Sequence, residues 1–495
     1  MAGIGFEIRR LSRQETITSV VGAVGHAAVI AAGPWLFTIL SLATITVMAE
    51  SVASTLTLAD FRAIVIYSFA VSLVVTAPVT IVATRLVADA LWLKNPDAVR
   101  PLLFAAFLAA IGIVVPVVAG LSFVFALDGS VAVALTACSL VVALIWVALS
   151  FCGAVRDYAG VTISFLAGLL VSLVLAIAAA IKGFHAPGMA WGFLAGLTVT
   201  FFGLASRVLA TFPQPVTELS AALRALIAGF ASYRHLAIGA FLGTAGVWID
   251  KWLFWFSAAG ERVQIGLLHA PLYDSAMFIA SLVIIPALAA FVSKLETEFF
   301  DRYQHYYGTI RSHGTMQQIE VARARLAAYT LDHLALIAVA QVAVSAVLIL
   351  SAPAIVEFLN LQFRQIAILR FGALGVVFQF IFIAATSMLL FFDRRRLYLG
   401  LQGLFLGLNL VLTLVTISLG QDYYGVGYFL ACLIAAFIAY FLADSTFDRL
   451  NYLTFIGNNP SVRESSVAAA RSRRTGLKAS ARDLLARLTP RAPRN

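Results

Sequence analysis

The sequence predicts an all-α integral membrane protein with about twelve transmembrane helices in two six-helix lobes. Three observations predict this fold class. Hydrophobic residues make up 61% of the chain and charged residues only 12%, whereas about a quarter of the residues of soluble proteins are charged. Apolar segments of about 20 residues or more recur along the chain, and each can cross ~30 Å of hydrocarbon as a helix. Positive charge alternates between the gaps that separate these segments.

Each apolar segment is predicted to be a helix, because backbone amides in lipid must find their hydrogen-bond partners within the protein. The predicted spans, in chain order, are 17–48, 61–84, 100–126, 131–153, 160–181, 187–211, 236–258, 272–293, 334–355, 366–392, 397–419 and 424–443. The first segment is longer than the apolar region of a cleavable signal peptide, and no small-residue cleavage site ends it. We therefore expect it to stay in the membrane.

The positions of the Lys and Arg residues predict the orientation. Of the 34 basic residues, 28 lie in the N-terminal segment, in every second gap or in the tail, five lie in the other gaps, and Lys251 lies within a span. Because positive charge is retained in the cytoplasm, both termini are predicted to be cytoplasmic and the protein to lie in a bacterial inner membrane. The same bias explains the net charge of +10, so nucleic acid is not an expected partner.

The loop that starts with Pro213 and Pro215 separates the first six predicted spans from the last six. Six is an even number, so both halves would start on the cytoplasmic side, as in transporters built from parallel repeats. The predicted organisation is an N-terminal lobe 1–211, an inter-lobe loop 212–235, a C-terminal lobe 236–459 and a basic tail 460–495.

Two cytoplasmic segments are candidates for interactions with partners. The longest loop, 294–333, carries Arg302, Arg323 and Arg325, which we consider for docking of a cytosolic protein. The alternative is a solvated extension of the eighth span. In the tail, leucines alternate with basic residues from position 477 onwards, which is typical of an amphipathic helix on an anionic membrane, although a disordered basic tail fits equally well. The loops on the other side are short, the longest being 259–271, and leave no room for a periplasmic domain.

Asp250 and Lys251 are the first candidates for a translocation site. They lie within the seventh span beside Trp248, where a charge costs roughly 2.5–3.5 kcal/mol and normally faces a protein interior or a water-filled cavity. Consecutive residues point about 100° apart on a helix, so one of the two could line a cavity while the other pairs with a neighbouring helix. Alternatively, both lie near the outer interface and Lys251 extends its ammonium towards water.

Three further residues are candidates for the same site. Trp35 follows Gly33 and Pro34 in the first span, where a proline kink would coincide with a large aromatic donor. His26 lies in the same span, and Arg370 starts the tenth span on the side that is otherwise poor in positive charge. Packing is the alternative for Trp35 and His26, and an outward-pointing guanidinium is the alternative for Arg370. Prolines also interrupt spans at positions 34, 78, 116 and 286, where a bend is expected.

The chemistry of an enzyme is not evident in the sequence. It has no Walker A motif, no hydrolase elbow and no paired catalytic carboxylates, and its three cysteines lie in apolar segments without metal-ligand spacing. We therefore expect no catalytic residues, no metal and no cofactor. If the protein works on sugars, we therefore expect it to move them rather than to make them.

Several motifs lie in order along the chain. They are residues 1–7 (MAGIGFE) followed by Arg9 and Arg10, residues 33–35 (GPW), 296–299 (ETEF), 393–396 (DRRR) and 452–460 (YLTFIGNNP). In these motifs the chain resembles the Pel exopolysaccharide transporter family, PelG, over about residues 1–462. The family usually has serines before the Gly-Pro-Trp motif, whereas this chain has Ala31 and Ala32, so a role of those hydroxyls is not carried over.

The resemblance implies a twelve-helix, MATE-like member of the multidrug/oligosaccharidyl-lipid/polysaccharide flippase superfamily in the inner membrane of a Gram-negative bacterium. It implies export of a nascent, galactosamine-rich polysaccharide to the periplasm for the biofilm matrix. The implied partners are a cytosolic glycosyltransferase that uses UDP-N-acetylhexosamine, membrane-anchored synthase subunits including a cyclic di-GMP sensor, and membrane lipids. Four alternatives to this polymer translocator stay open. They are a flippase of lipid-linked saccharides, an ion-coupled antiporter that uses Asp250, an integral-membrane glycosyltransferase, for which the short outer loops leave little room, and a scaffold for the synthase. No site residues are carried over from the family.

Overall fold

The computed structural model describes residues 42–155, 157–216 and 218–457, and almost all of them are helical. Within these ranges, eleven helices are long and apolar enough to cross a membrane. They correspond to the second to twelfth predicted spans. Residues 42–49 are helical and belong to the predicted first span, most of which lies outside the described residues. The predicted all-α membrane fold is confirmed, whereas the orientation of the termini stays a prediction.

The helices in chain order are α1 (Thr55–Trp92), α2 (Val99–Val124), α3 (Gly129–Cys152), α4 (Tyr158–Ile181), α5 (Ala186–Thr211), α6 (Leu219–Ser232), α7 (Arg234–Trp255), α8 (Pro271–Leu282), α9 (Ile285–Lys294), α10 (Phe300–Arg311), α11 (Met316–Phe358), α12 (Gln365–Phe391), α13 (Arg395–Leu419), α14 (Val426–Asp448) and the short α15 (Leu450–Tyr452). Between α7 and α8 lie two short strands, β1 (Glu261–Arg262) and β2 (Leu268–His269).

The prolines affect their helices differently from the uniform bend that we expected. Pro78 and Pro116 lie inside the continuous helices α1 and α2. Pro286, in contrast, lies in the first turn of α9, and the predicted eighth span is divided into α8 and α9 at Val283 and Ile284. A proline at the start of a helix removes an N–H that would have no intrahelical partner, so this position favours a new helix rather than a kink.

The predicted inter-lobe loop 212–235 is partly helical, since α6 occupies its centre. The predicted cytoplasmic loop 294–333 is a helical hairpin formed by α10 and the first part of α11. Thr315 caps α11: its hydroxyl accepts a hydrogen bond from the Gln318 backbone N–H at 3.3 Å, and the Gln318 side chain accepts one from the Thr315 N–H at 2.8 Å. Such a reciprocal cap fixes the start of a helix. α11 then continues through the predicted ninth span without interruption.

The loop 259–271, for which we predicted only a short length, contains a small hairpin. In the structure β1 and β2 pair antiparallel, with Glu261 opposite His269. The connection turns at Gly266, whose φ of +97° lies in the region that side chains disfavour.

The described chain has one large buried cluster of apolar side chains and a smaller one that joins α9, α10 and α11 to α12. The smaller cluster attaches the hairpin of α10 and α11 to the membrane helices.

Candidate translocation site

The structure brings Asp250 and Lys251 together. The Lys251 Nζ lies 2.9 Å from the Asp250 Oδ2 and also donates to the Val247 carbonyl at 3.1 Å. The Asp250 side chain is fully buried, whereas the Lys251 side chain is 18% exposed. We had expected the two side chains to diverge because they are consecutive in sequence. The long lysine side chain instead folds back along α7 and reaches the carboxylate of its neighbour.

A third group completes the surroundings of Asp250. The Tyr273 hydroxyl, from α8, donates to the Asp250 Oδ2 at 2.8 Å. The buried carboxylate therefore has a cation and a neutral donor, which is what a buried ion pair needs to offset the loss of water. Removing one partner of such a pair costs roughly 3–5 kcal/mol, because the other charge is left buried and uncompensated.

Aromatic side chains from three helices surround this ion pair. The rings of Phe254 and Tyr273 stack with their centroids 3.8 Å apart. The Lys251 ammonium lies 5.6 Å from the centre of the Tyr428 ring, within the range of a cation–π interaction. The Tyr428 hydroxyl in turn donates to the Gln379 Oε1 at 2.6 Å. The site thus joins α7 to α8, α12 and α14 through polar groups that are all partnered.

Trp248 lies one helical turn before Lys251 and shares its face of α7. Its side chain is partly buried, and its indole N–H is buried without a hydrogen-bond partner among the described residues. An unpartnered buried donor is unusual in a native protein, so such a group invites a search for a ligand or water.

The sequence reasoning missed Asp274, although this residue lies inside the predicted eighth span. Its Oδ2 accepts a hydrogen bond from the Trp255 indole N–H at 2.7 Å and another from the Ala270 backbone N–H at 3.0 Å. Its Oδ1 is buried and has no partner among the described residues. The argument that selected Asp250, a carboxylate within an apolar segment, would also have selected Asp274.

The remaining candidates for this site lie elsewhere or outside the described residues. Arg370 is exposed, and its Nε donates to the Ile349 carbonyl of α11 at 3.2 Å. It therefore ties α12 to α11 and does not join the Asp250 group. Trp35 and His26 lie outside the described residues, and their part in the site stays a prediction.

The three arginines proposed for partner docking differ in their contacts. Arg323 donates to Glu320 at 2.6 Å and to the Phe447 carbonyl at 3.0 Å, and its side chain is only 17% exposed. Arg302 stacks on the Tyr329 ring, 3.6 Å from its centre. Arg325 is exposed and forms no hydrogen bond or ion pair with another described residue. Of the three, Arg325 has the guanidinium that an approaching protein can reach most easily.

Arg325 lines an open cavity of about 520 Å³ between α10 and α11. The other lining residues are His305, Thr309, Ser312, Gln317, Gln318, Val321 and Ala322. Hydroxyl, amide and imidazole groups next to a guanidinium suit an acidic ligand group.

Glu298 connects α9 to α10 through two ion pairs. Its carboxylate lies 2.8 Å from the Lys294 Nζ and 3.7 Å from the Arg302 Nη1. Burial acts to raise the pKa of Glu298, but the hydrogen bond from Lys294 and the charges of Lys294 and Arg302 lower this pKa overall. In the ranges that the structure describes, no group of three or more His, Cys, Asp or Glu residues is placed to hold a metal ion.

The comparisons with known proteins give a family and a fold. Residues 1–455 match the family model PelG, described as an exopolysaccharide exporter (EPS-E). No curated protein matches the chain.

Among solved structures, a MOP superfamily transporter from Pyrococcus furiosus matches with a TM-score of 0.60 at 13% identity, over 87% of this chain and 96% of that one. An outward-facing multidrug resistance MATE family transporter matches with a TM-score of 0.57 at 14% identity, over 87% and 96%. A MATE transporter in complex with MaL6 matches with a TM-score of 0.58 at 14% identity, over 87% and 97%. At these identities the likeness concerns the fold alone, which is that of a MATE-like transporter.

Proposed function

The chain belongs to the PelG family of exopolysaccharide exporters, and from this membership we propose that it moves a nascent Pel-type, galactosamine-rich polysaccharide from the cytoplasm to the periplasm for the biofilm matrix. The protein is a multi-pass inner-membrane transporter of MATE-like fold. Family and fold indicate a transporter rather than an enzyme.

The observation that carries the proposal is the internal neutralisation of Asp250. An antiporter for small cations needs a carboxylate that binds and releases its cation during each cycle. Lys251, at 2.9 Å, and Tyr273 already occupy the polar positions around Asp250. A tethered ammonium does not leave, so this arrangement favours the polymer translocator over the cation antiporter that uses Asp250.

We propose that the polymer passes between an N-terminal lobe, 1–211, and a C-terminal lobe, 236–459. Trp248 would contribute to the wall of the pathway, because its indole combines an apolar face with a free N–H donor. Sugar rings stack on aromatic faces and their hydroxyls accept hydrogen bonds from such donors. Asp250 and Lys251 would then hold the helix that carries Trp248, and Trp35 and His26 of the first span are proposed for the opposite wall.

The proposed docking site for the cytosolic glycosyltransferase is the hairpin of α10 and α11. The open cavity of this hairpin presents Arg325 to the solvent, and an acidic side chain of the enzyme would pair with this guanidinium. Arg302 and Arg323 would shape this surface indirectly, since both are engaged within the hairpin or with α14. We further propose membrane-anchored synthase subunits, among them the cyclic di-GMP sensor, as neighbours in the membrane.

The test uses sealed inverted vesicles that carry this chain, the glycosyltransferase and their membrane partners, supplied with labelled UDP-N-acetylgalactosamine. The readout is labelled polymer that resists an added glycoside hydrolase until detergent is introduced. If protection disappears when only this chain is omitted while synthesis continues outside, the chain is the conduit. If synthesis stops as well, the chain acts as a scaffold that assembles the synthase, and protection without the chain would contradict the proposal.

Two controls separate the polymer from other substrates. A lipid-linked saccharide flippase would protect label that extracts into organic solvent, whereas a polymer translocator protects label that stays with the aqueous, high-molecular-weight fraction. A vesicle with the chain but without the glycosyltransferase should protect no label. Protected, solvent-extractable label would favour the flippase alternative.

A further inference from the structure

We propose that Asp274 is a proton-binding site and that its proton controls the attachment of the β1–β2 hairpin to α1. This inference goes beyond polysaccharide export and does not depend on which substrate is moved. It rests on the balance of charge around Asp274, on the unpartnered oxygen of this residue and on the contacts that connect it to the hairpin.

The charges near Asp274 do not cancel. Two carboxylates, Asp250 and Asp274, lie on α7 and α8, and Lys251 is the ammonium beside them. Lys251 is already paired with Asp250. An ionised Asp274, whose Oδ1 is buried, would therefore lack a paired cation on α7 or α8, at a cost in free energy. A bound proton removes this cost.

The free oxygen of Asp274 fits a proton. Its Oδ2 accepts from both Trp255 and Ala270, whereas its Oδ1 is buried and unpartnered among the described residues. The carboxylate oxygens of Asp250 are engaged by Lys251 and Tyr273. The site thus offers a single free oxygen, which suffices for a proton, whereas metal ions in proteins take four to eight ligand atoms.

Asp274 holds the hairpin from both of its ends. The Ala270 N–H, directly after β2, and the Trp255 indole, at the end of α7, both donate to its Oδ2. The Trp255 ring stacks on the Tyr67 ring of α1, with 4.6 Å between the centroids. The Tyr67 hydroxyl donates to the Leu268 carbonyl at 2.9 Å and accepts from the Leu268 N–H at 3.3 Å. Asp274 thereby connects to α1 through two side chains and the hairpin backbone.

A second contact attaches the hairpin to α1 independently of Asp274. The buried Asp60 accepts a hydrogen bond from the Ile265 backbone N–H at 3.2 Å. This bond keeps the hairpin close to α1 when the Asp274 contacts weaken, so we expect local opening rather than unfolding.

Protonation of Asp274 should weaken the attachment. Hydrogen bonds to an ionised carboxylate are about twice as strong as those to a neutral acceptor. A proton on Asp274 therefore weakens the bonds from Trp255 and Ala270 together, and the hairpin separates from α1 more often. An ionised Asp274 tightens both bonds and closes this end of the molecule.

Several other titratable or charged groups lie around Asp274. On α7 and α8 they are Asp250, Lys251 and Tyr273, and on α1 they are Asp60, Arg62 and Tyr67. The hairpin contributes Glu261 and His269, and α14 contributes Tyr428. Arg364, at the start of α12, donates a hydrogen bond to the Gln421 side chain. His269 is the group that needs a control. Burial lowers the pKa of His269, against the opposing charge of Glu261, and protonation of this imidazole changes the charge of the hairpin itself.

The test measures hydrogen–deuterium exchange of the hairpin amides in lipid nanodiscs over a pH series, corrected for the intrinsic exchange rate. In the wild type we expect the opening equilibrium to increase about tenfold from weakly alkaline to weakly acidic buffer, a change that corresponds to about 1.4 kcal/mol. Asp274→Asn keeps the shape of the protonated acid, so its hairpin should open to the acidic level at every pH. His269→Gln should keep the wild-type response.

A pH response that survives in Asp274→Asn, or that is lost in His269→Gln, would overturn the proposal. Exchange in α13 controls for the fold, because this helix packs against α7, where the Asn409 side chain donates to the Gly246 carbonyl. If Asp274→Asn loses protection in α13 too, the variant Trp255→Phe tests the proposal instead. It removes one of the two hydrogen-bond donors to Asp274 and leaves the carboxylate in place. Its pH response should be clearly smaller than that of the wild type, and an equal response would contradict the proposal. None of these measurements requires transport, so their failure is distinct from a failure of the exporter function.

Discussion

Two regions of this molecule contain ion pairs, one buried and one exposed to solvent. Between α7 and α8 the Asp250 side chain is fully buried and its partner Lys251 is 18% exposed. Between α9 and α10 the Glu298 side chain is 37% exposed, and its partner Lys294 is 45% exposed. Water can replace a lost partner at Glu298, whereas nothing replaces Lys251. At nearly the same distance, 2.9 and 2.8 Å, the loss of one partner is therefore expected to cost much more free energy at Asp250 than at Glu298.

Lys251→Met should have the largest effect. It leaves Asp250 buried with Tyr273 as its hydrogen-bond donor, so the free energy of unfolding should fall by roughly 3–5 kcal/mol. Thermal unfolding in detergent, followed by tryptophan fluorescence, measures the change. The double variant Asp250→Asn with Lys251→Met should recover most of the loss, because no charge is left unpaired. A single variant as stable as the double one would contradict the assignment of a buried ion pair.

The same double variant tests the role of Asp250 in export. If the ion pair only holds α7 in place, the stable double variant should retain polymer output in the vesicle assay. If either charge contacts the polymer, output should fall while the amount of folded protein is unchanged. The two outcomes separate structural support from substrate contact, which a single substitution cannot do.

Arg323→Ala should have an intermediate effect. Arg323 joins α11 to the Phe447 carbonyl at the end of α14 and to Glu320, and hydrogen bonds of charged groups contribute about 1.5–3 kcal/mol. We expect a loss in this range in thermal unfolding, with faster exchange in α15. Arg325→Ala is the matched control, since its exposed side chain should change stability by less than about 0.5 kcal/mol. Equal losses in both variants would remove the distinction between these arginines.

Arg325→Glu should act on binding rather than on stability. Reversing this charge places like charges opposite each other if an acidic group of the glycosyltransferase docks in the α10–α11 cavity. Co-purification with the glycosyltransferase should decrease about tenfold, equivalent to about 1.4 kcal/mol, while thermal unfolding stays within about 0.5 kcal/mol of the wild type. Arg370→Glu, at the opposite end of the membrane helices, is the control for a general charge effect. If the same amount of enzyme is recovered with Arg325→Glu, the docking proposal is wrong and the hairpin is a solvated extension of the membrane helices.

The smallest effect concerns pH. The pKa of Glu298 is lowered from its ordinary value of 4.5, so the folded state favours the ionised form. The contribution of Glu298 to stability is complete above that ordinary value and is lost as the pH falls through the lowered pKa. In Glu298→Gln the unfolding temperature should depend less on pH below about 4.5 than in the wild type. An identical dependence would show that the Lys294 and Arg302 contacts are too exposed to matter.

The same contrast shows what the sequence could predict. The low frequency of charge made Asp250 and Lys251 conspicuous, and hydropathy placed them at membrane depth. That Lys251 turns back to Asp250 could not be predicted, because it depends on Tyr273 and Tyr428 filling the other directions. Asp274 was within reach of the same argument. The role of Asp274 could not be predicted from the sequence, because Trp255 and Ala270 contact it only when the loop 259–271 folds back over α1.

Arg323 and Arg325 show a second reason why contacts could not be predicted from the sequence. Arg323 and Arg325 look equivalent in a polar loop, and only the helix distinguishes them. Once α11 is known to start at Met316, its buried residues Ile319, Ala322 and Leu326 define an inner face. Arg323 lies next to this face and Arg325 lies away from it. Without the start of α11, the register of this helix and therefore the faces of the two arginines could not be predicted.

The uninterrupted length of α11 has a mechanical consequence. Its 43 residues form a rod of roughly 65 Å, of which about 27 Å, positions 316–333, lie outside the predicted span. A rigid rod turns a small tilt into a large displacement at its end. A tilt of about 10° around the membrane surface moves the tip, where Thr315 caps the helix, by about 5 Å. A protein bound at that tip would therefore be displaced whenever the packing of α11 against α12 changes its tilt.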